Sequence, residues 1–458
     1  MTFPNHFVWG AGASSFQIEG GAQEAGRTPS VWDMFCSKPG ATWQGHSGAV
    51  ACEHYQRYRD DVALMRQIGL PAYRLSISWS RVLPDGVGKV NHIGLDFYDR
   101  LIDELLAAHI APWVTLFHWD YPIELYARGG WLSPDSPHWF ADYVQTIVEK
   151  LSDRVRHWIT LNEPQCFIHL GLQTGLHAPG DKLTLPLVLR AAHHTLLAHG
   201  QAVQSIRAAS KQTCEIGLAP VGLAKIPATE TAQDIEAARQ AMFQMRDRTT
   251  WQTAFWLDPI FLGQYPADAL ELFGDAMPPI RVGDLETIHQ PLDFFGVNHY
   301  SSPFVRAGKD GAPEEIPFAP GHPIAANRSF VVPETLYWGP RFYWERYHLP
   351  IVITENGLPT LDWIALDGKV HDTQRIDFTR RYLLEYERAA RDGAQLKGYF
   401  HWSVMDNFEV TEGYRDRFGL IHVDFPTQRR TLKDSAHWYR RVIETNGASL
   451  HENPFHVY

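Results

Sequence analysis

His157-Trp158-Ile159-Thr160-Leu161-Asn162-Glu163-Pro164 is a short apolar run that breaks into a carboxylate and then a proline. Pro350-Ile351-Val352-Ile353-Thr354-Glu355-Asn356-Gly357 repeats that plan. Brief apolar runs rich in β-branched residues and closed by Pro or Gly read as strands buried on both faces, as in parallel sheets. Carboxylates at the C-terminal ends of barrel strands are where a (β/α)8 enzyme keeps its chemistry. Two of them facing one bond are the minimal equipment for cleaving a glycoside. The two glutamates therefore point first to a sugar-hydrolysing enzyme.

Working outward, six more runs have the same look, at 7–13, 72–78, 111–118, 215–222, 293–300 and 396–403. With 157–163 and 350–357 they make eight candidate strands. Amphipathic patterns of helical period lie between them, at 53–68, 93–108, 137–151, 185–209, 373–391 and 431–445. Eight βα units favour an α/β fold closed into a (β/α)8 TIM barrel, because closure leaves no edge strand. No Ser/Gly-rich linker or low-complexity tract interrupts the chain, so 1–458 reads as one barrel domain with elaborated βα loops. The long 301–333 segment, rich in Pro, Gly and Ala, follows the sixth strand. It should rise over the barrel mouth as a lid or a channel wall.

The composition narrows the function classes. A hydrophobic fraction of 45% is ample for a large core, and a formal charge of -11 argues against nucleic acid and anionic membranes as partners. Four cysteines (Cys36, Cys52, Cys166, Cys214) show no metal spacing and read as reduced thiols. The first residues lack a basic-then-apolar leader, and no apolar run approaches the ~18 residues of a membrane span. A cytoplasmic setting is expected. Adjacent His193 and His194 on a helix would face different ways, which is poor ligand geometry. No metal or other cofactor is implied. The 16 Trp give mild support to sugar stacking.

Polar groups recur at the strand ends: Gln17 after the first, Arg74 in the second, His118 and Trp119 after the third, Asn162 and Glu163 on the fourth. Asn298 and Tyr300 follow on the sixth, Glu355 on the seventh, Trp402 and then Glu409 after the eighth. Gln17-Ile18-Glu19-Gly20, Thr160-Leu161-Asn162-Glu163-Pro164, Ile353-Thr354-Glu355-Asn356-Gly357 and Asp406-Asn407-Phe408-Glu409, in this order, resemble glycoside hydrolase family 1, the β-glucosidase family. The resemblance runs from Phe7 to Leu420. It implies a (β/α)8 barrel and a retaining, exo-acting β-glycosidase of β-glucosides, with β-galactosidase and β-fucosidase side activities. Small β-glycosides or oligosaccharides would be the partners, in carbohydrate metabolism and cellulose degradation. Glu163 matches the acid/base and Glu355 the nucleophile. Arg74, Asn162, Asn298 and Tyr300 match supporting positions, Asn162 also the contact to the sugar 2-hydroxyl. Gln17, His118 and Glu409 match the holders of the glycone hydroxyls and Trp402 the platform under the ring; Trp119, Val410 and Phe418 complete the implied substrate-binding set.

The 6-phospho relatives of this family typically carry Ser at position 409, Lys at 416 and Tyr at 418. Here stand Glu409, Asp416 and Phe418, and two carboxylates repel a phosphate. Val410 replaces a usual Trp after the glycone-binding Glu, so an indole N–H and ring volume are missing and the glucose, galactose and fucose ranking is open. Gln165 replaces a common Trp after Asn-Glu-Pro, so the aglycone side is expected to be wider or more polar. His299 should point away from the site, as alternate strand residues do. Two other readings remain open: a transglycosidase, told apart by its products at high acceptor concentration, and a non-catalytic carbohydrate-binding protein, which would typically have lost one glutamate.

Overall fold

The computed structural model describes residues 3–454. Eight parallel strands form its centre: β1 (Val8–Gly12), β2 (Ala72–Ser76), β3 (Ala111–Phe117), β4 (His157–Asn162), β5 (Glu215–Ala219), β6 (Phe295–Asn298), β7 (Ile351–Asn356) and β8 (Leu396–Trp402). The hydrogen-bonded order runs β5-β4-β3-β2-β1-β8-β7-β6. The seam between β5 and β6 is stitched by a short parallel bridge, Val221 to Asn298, with Gly222 N donating to Asn298 O at 2.7 Å and Asp293 N to Ile216 O at 2.8 Å. The ring is a nearly closed (β/α)8 barrel.

Each strand lies within the expected run, but the runs extend past the ladder at their C-terminal ends. His118, Glu163 and Tyr300 lie just beyond it. The helices His54–Ile68, His92–Ala107, Ser136–Leu151, Leu185–Ala209, Thr373–Arg391 and Asp434–Glu444 fall within three residues of the expected bounds. The β5–β6 connection carries Ala232–Phe243, Thr253–Leu262, Ala267–Phe273 and Asp284–Ile288, and Thr335–Tyr347 follows β6. The 301–333 segment is partly ordered as an antiparallel pair, Phe304–Ala307 with Pro313–Ile316, to which Ile226–Pro227 adds a third strand.

The barrel interior has a solid floor. Trp113 meets Phe294 and Phe400 there, with ring centroids 5.2 and 5.1 Å away, packed with Ala72, Ile159, Ala219 and Val352. Glycines make room for the rings: a Cβ on Gly10 would meet Phe400 at 2.5 Å, and one on Gly217 would meet Phe294 at 2.4 Å. A larger apolar shell lies between strands and helices. With the lower barrel filled, the cavity opens at the C-terminal mouth. The four cysteines are buried free thiols. No described helix is long and apolar enough to cross a membrane.

Candidate active site

Register brings the second and eighth strands to bear on the first: Gly12 lies opposite Arg74 on one side and Trp402 on the other. Arg74 is buried and points into the barrel. It donates to Glu355 Oε1 at 2.5 Å, the Thr354 carbonyl at 3.1 Å, Asn162 Oδ1 at 2.6 Å and Thr115 Oγ1 at 3.1 Å. One guanidinium thus ties β2 to β3, β4 and β7. Its rigid fork of donors suits such a hub, where a lysine would offer a single point charge.

Glu163 leaves β4 in the left-handed region, φ 45°. That conformation costs a non-glycine residue about 1–2 kcal/mol. The backbone is held there by Glu163 N donating to Ala219 O at 2.7 Å, and Pro164 then starts the turn into the helix Cys166–Thr174. The kink turns the carboxyl inward. Asn298 Nδ2 donates to Glu163 Oε1 at 3.0 Å and to Asn162 Oδ1 at 2.9 Å, while the Cys166 thiol donates to Glu163 Oε2 at 3.1 Å. Across the cavity, Tyr300 donates its phenol proton to Glu355 Oε2 at 2.8 Å.

The two carboxyls therefore sit in different surroundings. Burial and the facing Glu355 push Glu163 up to about 7. Burial leaves Glu355 raised as well, though Arg74, Tyr300 and Asn298 offset part of the rise. Only one of the pair carries a formal positive charge in hydrogen-bond contact, so a single shared proton belongs on Glu163.

The rest of the cavity holds donors and acceptors aimed at a polar guest. Gln17 accepts from Ser14 Oγ at 2.6 Å and donates to Asn407 Oδ1 at 3.1 Å and Glu409 Oε2 at 3.2 Å, which fixes its amide. His118 Nε2 lies 3.2 Å from Asn162 Nδ2 and must accept there, so the ring is neutral. Burial and the charge of Arg74 hold His118 well below the usual histidine range, in agreement. Trp402 stacks on His118 at 5.7 Å and 15°. Desolvation, Glu355 and Asp416 push Glu409 well above the usual carboxyl value. Trp119, with φ 79°, donates its indole N–H to Asn162 O at 2.9 Å. These groups and Phe418 border a cavity of about 140 Å³. That is well below the roughly 300–1,000 Å³ of pockets for drug-sized ligands and suits a small guest.

The chain matches the sequence profile of "Glycosyl hydrolase family 1" over residues 1–448. A 1,4-beta-D-glucan glucohydrolase of Thermotoga neapolitana is 42% identical over 97% of this chain and 99% of its own length. Beta-glucosidase A of Acetivibrio thermocellus is 41% identical over 98% of this chain and 99% of its own. The chain belongs to glycosyl hydrolase family 1. Its fold agrees: the solved beta-glucosidase from Thermotoga maritima in complex with glucoimidazole superposes with a TM-score of 0.89 at 40% identity, covering 97% of this chain and 99% of that one.

Within this family 1 barrel, Gln17, His118, Trp119, Glu163, Tyr300, Glu355, Trp402, Glu409 and Phe418 border one cavity. Arg74 and Asn298 hold its carboxyls, and Asn162 ties Arg74, Asn298 and His118 together. Two of the expected residues do not border this cavity. Gln165 does not border the cavity: the chain is already helical there, and the buried side chain turns to β5, where its Oε1 accepts from Val221 N at 3.2 Å. Val410, half-buried with φ 40° at the start of the turn Val410–Glu412, is not among the residues that border the cavity. His299 does face away, packing on Gly222 and Gly339. One wall residue escaped the sequence reading, the exposed Asn327 of the 301–333 segment. Only the length of that loop hinted at it.

Proposed function

We propose that this chain is a retaining, exo-acting β-glucosidase, with Glu163 as acid/base and Glu355 as nucleophile. The observation that carries this reading is the asymmetry of the pair: Glu355 bonded to Arg74 and Tyr300, Glu163 bonded only to the neutral Asn298 and Cys166. In the first step Glu355 attacks the anomeric carbon, the glycosidic C–O bond breaks, and Glu163 gives its proton to the departing oxygen. In the second, water attacks the glycosyl ester; Glu163 takes its proton and the sugar leaves with the β configuration it brought. Since Glu163 must start protonated, kcat/KM should fall as pH rises through about 7.

Gln17, His118 and Glu409 receive the glycone hydroxyls in this proposal, Trp402 lies under the ring and Asn162 meets the 2-hydroxyl. A site built to pair hydroxyls rejects sugars that lack them, because its own buried groups would stay unpaired. Glu409 beside Asp416 makes a phosphorylated glycone unfavourable. Relatives named beta-glucosidase and 1,4-beta-D-glucan glucohydrolase support glucosides and a place in β-glucan breakdown. Residues 1–458 act as one catalytic unit here, since the site draws on most of the strand ends. The four buried thiols suit a reducing, cytoplasmic setting. Gln165 turns to Val221, so this reading gives it no part in choosing between water and an acceptor sugar.

Turnover of p-nitrophenyl β-D-glucoside, β-D-galactoside, β-D-fucoside and β-D-glucoside 6-phosphate, side by side, tests this. Release from the unphosphorylated sugars is expected, and their ranking reads out the glycone preference. Silence on all four would overturn it, and preference for the phosphorylated sugar would overturn the glycone assignment.

A further inference from the structure

We propose that Cys166 is a positioning residue for the acid/base carboxyl, and that its thiol is the neutral partner that receives Glu163 Oε2 each time that oxygen gives up its proton. The inference rests on Glu163 being the acid/base.

The amide of Asn298 makes the two oxygens of Glu163 unequal. Asn162 Oδ1 accepts from Arg74, which can only donate, at 2.6 Å, so the end of the Asn298 amide that meets this oxygen at 2.9 Å is Nδ2, and the same Nδ2 faces Glu163 Oε1 at 3.0 Å. An amide N–H donates and cannot accept. Oε1 is therefore held as an acceptor, and a protonated Glu163 carries its proton on Oε2. That oxygen lies 3.1 Å from Cys166 Sγ. The thiol is delivered by the helical turn that follows Pro164, where Cys166 N donates to Glu163 O at 2.9 Å. Sγ makes no other hydrogen bond among the described residues.

The exchange balances without a further reagent. When Oε2–H passes its proton to the glycosidic oxygen, Oε2 becomes anionic and accepts the S–H. When water returns a proton, that contact slackens. A thiol is a weak donor. It meets the anion without holding it so firmly that reprotonation is costly. Burial and the two carboxyls keep Cys166 well above the usual thiol range, so it stays neutral throughout.

The other titratable and charged groups facing Glu163 are Glu355 on β7, Arg74 on β2, Tyr300 after β6 and Glu409 after β8; the neutral His118 after β3 shares the cavity. None is changed by altering Cys166. The test is the pH profile of kcat/KM on cellobiose for the intact protein, Cys166→Ser and Cys166→Ala. Serine is a stronger donor to the carboxylate, so its basic limb should move to lower pH, by about half to one unit. Alanine donates nothing, and its limb should move the opposite way. A role in packing alone would change stability and leave the limbs in place.

Superimposed limbs, or both variants shifting in one direction, would overturn the proposal. If Cys166→Ala fails to fold, the direction of the serine shift still decides. Azide rescue of Glu163→Ala on an activated glucoside, run alongside, separates the two layers. Rescue with superimposed limbs overturns the thiol's role and leaves the acid/base assignment standing. No rescue overturns both.

Discussion

Replacing Glu163 by Gln should flatten the pH dependence of stability across the range where Glu163 titrates. In the folded protein Glu163 is raised from 4.5 to about 7, by burial first and by Glu355 second. The unfolded chain gives up that proton near 4.5, so between the two values the folded state holds a proton that the unfolded state has lost. This group's contribution to stability is full below about 4.5, declines as pH rises, and is gone above about 7. At 1.36 kcal/mol per pKa unit the full span is about 3 kcal/mol. Glu163 and Glu355 share one cavity, so the figure belongs to the pair. Glutamine keeps the shape and can still accept from Asn298, but carries no charge to desolvate. Urea unfolding of both proteins at about pH 4.5 and about pH 8 is the assay. The variant's advantage over the parent should grow by about 3 kcal/mol between them. Parallel stability curves would refute the buried, raised carboxyl, and an advantage that shrinks with pH would reverse its sign.

Three further substitutions probe the same site. Arg74→Met leaves Glu355 buried without its cation; loss of one partner of a buried pair is worth about 3–5 kcal/mol, so the nucleophile should protonate instead, the acid limb of kcat/KM should climb, and activity near neutrality should fall by about 10²–10³-fold. An unmoved acid limb would count against Arg74 as the group that keeps Glu355 ionised. Glu355→Gln should abolish turnover while circular dichroism stays unchanged, and substantial residual turnover would remove Glu355 as nucleophile. Glu163→Ala should slow poor leaving groups far more than p-nitrophenolate, with azide restoring activated substrates as glycosyl azide; equal slowing of both would argue for another acid.

The barrel was legible because its strands are buried on both faces and so read as continuous apolar runs, Ile351-Val352-Ile353 above all. The strand ends were harder to place. His118, Trp119 and Glu163 look like continuations of a strand, yet Trp119 and Glu163 take positive φ, and the turn that this imposes aims the side chains inward. The two glutamates and Arg74 were legible as motifs. What was not legible depends on distant segments meeting. Gln165 looks like a cavity residue by its place after Pro164, but whether it faces the cavity or Val221 is set by the helix that starts there. Val410 follows Glu409 directly, yet only Glu409 borders the cavity. Asn327 reaches the cavity from a loop without periodicity, and the thiol of Cys166 meets Glu163 only because the turn after Pro164 is tight.

The most direct measurement is to find where the sugar becomes attached. The protein would be incubated with a 2-deoxy-2-fluoro-β-glucoside bearing a good leaving group, which slows breakdown of a covalent intermediate more than its formation, then digested and mapped by mass spectrometry. The account predicts one glycosyl ester, on Glu355 in the peptide that spans β7. An ester on any other carboxyl, or steady release of the leaving group with no ester at all, would contradict it.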